Sequence, residues 1–163
     1  MEIGAENLPA DEPSLDELYS RPGFMLRRAH QISVAVFLEE ARELGVTTSQ
    51  YGALFVLEKI GGLDIAGLGR RMGMDRSTSA LVVSKLEAAG WITLDTNPDD
   101  RRRRLIHLTP AGREILNALA IPAVAARERL LSAFTPEEAR DFVRLLDKFV
   151  GTFNSVIRTP IDP

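Results

Sequence analysis

The sequence predicts a mainly α-helical chain carrying one small β-hairpin. Three observations carry this. Apolar residues recur at helical spacings of three and four from Pro22 onward, and glycines (Gly45, Gly61-Gly62, Gly73, Gly90) punctuate the successive segments. Only two short strand-like runs stand out, Trp91–Leu94 and Leu105–Leu108, on either side of the turn-forming Asn97-Pro98-Asp99-Asp100. With 163 residues, 45% of them hydrophobic and 26% charged, the chain is long and apolar enough for one packed domain, or for one domain plus a dimerisation appendage.

Residues 1–20 hold Pro9, Pro13 and six acids without a base, and are expected to form a loosely docked arm. A helix is expected from Pro22, a residue suited to a first turn, to Leu44. Its apolar residues fall on two faces: Met25, Ala29, Ile32 and Val36 on one, Val34, Phe37, Leu38, Ala41 and Leu44 on the other. That pattern suits burial between two layers. Thr48 or Ser49 is expected to cap a second helix bearing Tyr51, Leu54, Phe55 and Leu57. A third runs from Asp64 to Met72, ended by Gly73, and Asp75 caps a fourth, Arg76 to Ala89. Two helices joined by a tight glycine turn form a helix-turn-helix. After the hairpin, Thr109-Pro110 opens a fifth helix that Pro122 should kink. Thr135-Pro136-Glu137-Glu138 is a capping box for the last helix, where Phe142, Leu146, Phe149, Phe153 and Val156 follow at spacings of 4, 3, 4 and 3. The organisation expected is an acidic arm (1–20), flanking helical segments (21–46 and 110–163) and a helix-turn-helix followed by a hairpin wing (47–109).

Several function classes are disfavoured. With no cysteine there is no disulfide, cysteine–zinc site or thiol redox switch, and His30 and His107 are the only imidazoles. No nucleophile–base arrangement, glycine-rich phosphate loop or metal-ligand spacing stands out, so neither an enzyme nor a cofactor is expected. No apolar run reaches the roughly 20 residues that span a bilayer, and the acidic start is unlike a signal peptide, which points to the cytoplasm and to no membrane partner.

The net charge of −3 conceals an uneven distribution. Residues 70–104 hold eight basic and five acidic side chains, a local charge of +3 that leaves −6 for the remainder. It is the local field that attracts phosphate. The fourth helix would enter a major groove, its first turn offering Arg76, Ser77 and Thr78 to phosphates and bases, while Ser79, Val82, Val83 and Leu86 face inward. On the hairpin, Arg101, Arg102, Arg103 and Arg104 repel one another unless an anion is near, and an arginine there suits a narrow minor groove. Asp100 is expected to pair with one of them and fix the tip. The alternative is a winged-helix module that binds another protein and never touches DNA.

The order of these elements, together with Asp100-x-Arg102 and the downstream Leu108-Thr109, resembles the MarR family of winged helix-turn-helix transcriptional regulators. The resemblance extends through Asp75-Arg76-Ser77-Thr78, Lys85-Leu86-Glu87 and Gly90, and spans about residues 22 to 157. It implies double-stranded DNA as partner, with Arg76, Ser77, Thr78 and Lys85 on the recognition helix and Arg102 or its neighbours on the wing. Departures include Leu94-Asp95 in the first wing strand, Leu81 at a groove-facing position, Gly67 and Gly69 in the third helix, and Pro122. The apolar seam of the last helix fits either the chain's own first helix or a second copy; the resemblance implies a homodimer of intertwined terminal helices over a pseudo-palindromic operator. The segment Pro22–Ile32 is similar to the first helix of MarR-type regulators of aromatic-compound catabolism. That likeness implies repression relieved by an aromatic acid or its coenzyme A thioester, with Phe37, Tyr51 and Phe55 for a ring and Arg27, Arg28 or His30 for a carboxylate or phosphate.

Overall fold

Capping side chains set where the helices of this chain begin. The computed structural model describes residues 14–98 and 100–161. The chain divides into two units, one before Val36 and one from Val36 onward.

In the first unit, Ser14 caps a short helix α1 (Leu15–Ser20), accepting a hydrogen bond from the Glu17 backbone. The end of the expected arm is therefore helical, while residues 1–13 lie outside the described residues. Helix α2 (Pro22–Glu40) starts at Pro22 as expected, and Tyr19 and Phe24 bring their rings to 5.1 Å. Of the two apolar faces expected for this helix, only Phe37 is buried in α2 itself; Met25 and Ile32 are exposed.

In the second unit a 3₁₀ turn at Arg42–Leu44 ends at Gly45, whose φ of +63° suits a residue without Cβ. Helix α3 (Thr48–Ile60) is capped by Thr47, one residue earlier than expected, because Gln50 stands at the third helical position and completes a reciprocal capping box. Asp64 caps α4 (Ile65–Met72), and Asp75 caps α5 (Arg76–Ala88). The hairpin strands β2 (Ile92–Thr96) and β3 (Arg104–Leu108) pair antiparallel with Leu94 opposite Ile106. A third strand, β1 (Leu63–Asp64), pairs with the other edge of β3. At two residues it is too short to leave a periodicity.

The expected fifth helix is two, α6 (Pro110–Ala118) and α7 (Ala120–Leu131), broken at Leu119. Pro122 explains the break: its ring excludes a helical carbonyl four residues back, whereas third in a new helix it lacks only an N–H that needs no partner. Helix α8 (Pro136–Phe153) opens with the expected Thr135–Glu138 box. It ends before Val156, which sits in the following turn and donates its N–H to the Phe153 carbonyl, so the helical seam is Phe142, Leu146, Phe149 and Phe153.

The main core joins Leu54 and Leu57 of α3, Leu68 of α4, Val82, Val83 and Leu86 of α5, Ile92 of β2 and Ile106 of β3. Each buried side chain of this size contributes about 1.5–3 kcal/mol. A second cluster packs Phe37, Ala41 and Val46 on Leu119 and Ala126, with Trp91 against both. No helix among the described residues is long and apolar enough to cross a membrane.

Candidate nucleic-acid interface

The reading head is built by close approach of α4 to α5. Met72 ends α4, Gly73 turns the chain at φ +62°, and Met74 donates its N–H to the Gly69 carbonyl at 2.9 Å. A Cβ on Gly69 would lie 2.6 Å from Ser79 Oγ. The glycine that looks costly for a helix is therefore what lets α5 dock. Ser79, Val82, Val83 and Leu86 are all buried in that dock, as the inward-facing set anticipated. The outward face is left to Arg76, Ser77, Thr78 and Lys85, all exposed, and Arg76 and Lys85 form no ion pair among the described residues. Leu81, on the same face, is 57% exposed and offers an apolar surface of the kind that meets a thymine methyl. Asp75 accepts the Thr78 N–H at 2.7 Å. That bond first, and then the Thr78 hydroxyl, holds the Asp75 carboxyl below its ordinary range, so the cap is charged at neutral pH.

The four wing arginines separate by task. Asp100 accepts both the backbone N–H and the Nε of Arg102, at 3.1 and 3.2 Å, and lies 3.6 Å from Arg103. The tip is thereby fixed by Asp100 as expected. Arg103 also reaches Asp64 at 3.4 Å, so the carboxylate that caps α4 ties the wing to the reading head. Arg104 donates to the Leu94 carbonyl at 2.8 Å across the hairpin and faces Glu87 of α5 at 3.9 Å. Arg103 and Arg104 are thus engaged within the chain. Arg102, with its side chain 92% exposed, and Arg101, unpaired among the described residues, are the two that project. Sequence spacing did not find Asp64 as wing anchor, because the pairing joins residues 39 positions apart.

Arg70, Arg76, Arg102, Arg103 and Arg104 line one groove of about 1080 Å³, whose only acidic lining residue among the described residues is Asp64. The positive side chains from α4, α5 and the wing thus share one surface.

The remaining expected residues fall elsewhere. Phe37, Tyr51 and Phe55 form a contiguous aromatic row, with ring centroids 5.3 and 6.2 Å apart. Arg27, Arg28 and His30 belong to the first unit and are exposed; Arg27 lies over the Phe24 ring at 4.8 Å, and Arg28 donates to Gln31 at 3.0 Å. Phe142, Leu146, Phe149, Phe153 and Val156 are all exposed.

The MarR family model matches residues 44–103, from before α3 into the wing. A regulatory protein for the hcr operon of Thauera aromatica, described as putative, is 35% identical over 140 residues, covering 83% of this chain and 76% of that one. The chain belongs to the MarR family. The transcriptional repressor NicR of Pseudomonas putida is 28% identical, over 88% of this chain and 90% of its own length. Among solved structures, Bordetella bronchiseptica BpsR, described with regulation of its DNA binding by 6-hydroxynicotinic acid, superposes with a TM-score of 0.75 at 27% identity, covering 80% of this chain and 94% of that one. This MarR-family chain is a transcriptional regulator with a winged-helix fold, and not an enzyme.

Proposed function

We propose that this regulator is a cytoplasmic homodimeric repressor that binds a pseudo-palindromic operator and leaves it when a small aromatic acid, or its coenzyme A thioester, binds. The observation that carries the DNA part is the shared groove: Arg76 on α5 and Arg102 on the wing line one surface, where five arginines stand against a single acidic residue, Asp64, among the described residues of the helix-turn-helix and wing that line it. Residues 47–109 supply the reading head, with Arg76, Ser77, Thr78 and Lys85 in the major groove and Arg101 and Arg102 at the minor groove. Arg103 and Arg104 hold the wing and add to its field. Residues 21–46 and 110–163 supply dimerisation, through the exposed seam of α8.

Fluorescence anisotropy on a labelled duplex from the protein's own upstream region tests the DNA part. Arg76→Ala with Arg102→Ala is expected to weaken binding at least about tenfold per protomer, and to flatten the slope of log affinity against log salt by about 0.9 for each phosphate no longer neutralised. Unchanged affinity, or a wild-type slope near zero, would favour the protein-binding module instead.

The effector class is supported by the row Phe37, Tyr51 and Phe55, a stacking surface for a ring, and by the likeness to BpsR. Release then follows by linkage: a ligand that prefers the DNA-free arrangement lowers DNA affinity by the factor by which DNA lowers its own. Titration calorimetry with hydroxybenzoic, hydroxycinnamic and hydroxynicotinic acids and their thioesters is expected to find one binder that also displaces the duplex, and Tyr51→Ala should weaken it by about 0.5–1.5 kcal/mol. Failure of every compound removes the aromatic-effector reading and leaves the DNA reading standing.

A further inference from the structure

Residues 154–161 fold back after α8. Asn154, directly after the helix, uses both halves of its amide on one residue: Nδ2 donates to the Ile161 carbonyl and Oδ1 accepts the Ile161 N–H, each at 2.9 Å. Residues 155–160 are therefore closed into a loop. That loop is seated on the helix-turn-helix itself. Thr159 donates its hydroxyl to the Gly73 carbonyl at 2.8 Å, across 86 positions of sequence. The Ile161 side chain lies against the same glycine, so close that a Cβ there would be 3.1 Å from Ile161 Cγ1. Gly73 is the turn between α4 and α5, so the clasp grips the element that aims the recognition helix.

The clasp brings Arg158 to the groove that Arg70, Arg76 and Arg102 already line. Arg158 is exposed, and its charge bears on Asp75, the cap of α5. We infer that the clasp Asn154–Ile161 is part of the DNA interface, with Arg158 contacting a backbone phosphate beside the start of the recognition helix. An arginine on an irregular segment at the groove's edge suits phosphate better than a base, since base edges are reached by the helix inside the major groove.

This inference rests on the DNA-binding reading, and the test separates the two. The upstream duplex is titrated with wild type, Arg158→Ala, Arg158→Lys, Asn154→Ala and, as control, Arg76→Ala, between about 50 and 200 mM salt. Arg158→Ala is expected to reduce affinity on the order of tenfold and to lower the salt slope by about 0.9 per protomer. Arg158→Lys should keep most of the slope. Asn154→Ala, which opens the clasp while leaving the arginine in place, should lose affinity like Arg158→Ala. If wild type and Arg76→Ala behave as expected while Arg158→Ala matches wild type, the inference falls and the DNA reading stands. Tighter binding by Asn154→Ala would also overturn it, showing that the clasp obstructs the groove. No binding by the wild type would overturn both.

Discussion

Gly112→Ala is expected to be the most damaging single methyl that can be added to this chain. A Cβ at Gly112 would lie 2.0 Å from the Trp91 carbonyl oxygen and 3.0 Å from the Leu108 side chain. The first is backbone and cannot step aside alone. Thr109 donates its N–H to that same Trp91 carbonyl at 3.0 Å, and its hydroxyl donates to the Gly90 carbonyl at 2.7 Å while accepting the Gly112 N–H at 3.0 Å. These bonds tie the start of α6 to the turn between α5 and β2. Withdrawal of α6 to admit the methyl breaks them, and it pulls Ile115 and Leu116 off the main core and Leu119 out of the second. Overpacking against backbone lies at the upper end of the usual range, about 3 kcal/mol, a fall of roughly 6–12 °C in Tm for a chain of this length. Gly23→Ala is the matched control: nothing lies within 4 Å of the place its methyl would take, and a change below about 1 kcal/mol is expected. Thermal melting by circular dichroism decides. A Gly112→Ala melt within about 2 °C of Gly23→Ala, against the ~6 °C expected, would show that α6 is not held against Trp91 as described.

Most of the reading head was legible because its signals are local. Asp75, Thr109 and Thr135 each stand next to the helix they cap, and the glycines mark turns that local backbone chemistry dictates. Asp100 was legible for the same reason, two residues from the arginine it holds. What escaped depended on distance in sequence. The Asp64–Arg103 bridge, the pairing of β1 with β3 and the Thr159–Gly73 bond join segments that only the folded chain brings together. Gly69 shows the same limit from the other side. In isolation it costs a helix about 1 kcal/mol, and only the proximity of Ser79 and Met74 shows why a side chain is excluded. The four arginines in a row were equivalent as sequence. Their separation follows from the fold: hairpin register places Arg104 opposite Thr96 and within reach of Leu94, Arg103 reaches back to Asp64, and Arg102, held by Asp100, keeps its side chain in solvent.

Phe149→Glu is expected to convert the protein to monomer. Within the protomer α8 buries none of its residues, although Phe142, Leu146, Phe149 and Phe153 recur along it at the spacing of a helix–helix seam. So many large apolar side chains uncovered along one helix call for a covering surface, and a second copy of the same helix offers one of matching length and character. Phe149 is the informative position. Phe142 already stacks on Phe134 at 4.9 Å, outside its own helix, so its loss would disturb the protomer, whereas the ring pair of Phe149 is with its helical neighbour Phe153, at 5.0 Å. A carboxylate there stays solvated in the monomer but must be buried unpaired in the dimer, at a cost of several kcal/mol for each copy. Sedimentation equilibrium should give twice the 18.0 kDa chain mass for wild type and for Phe149→Leu, and the chain mass alone for Phe149→Glu. The functional consequence is larger than the structural one. A lone reading head grips one half-site, and loss of the second, tethered head removes about 10²–10⁴ in operator affinity while every DNA-contacting side chain remains in place. An intact Phe149→Glu dimer would move the interface to another surface; a wild-type monomer that binds the operator tightly would end the two-fold reading of the site.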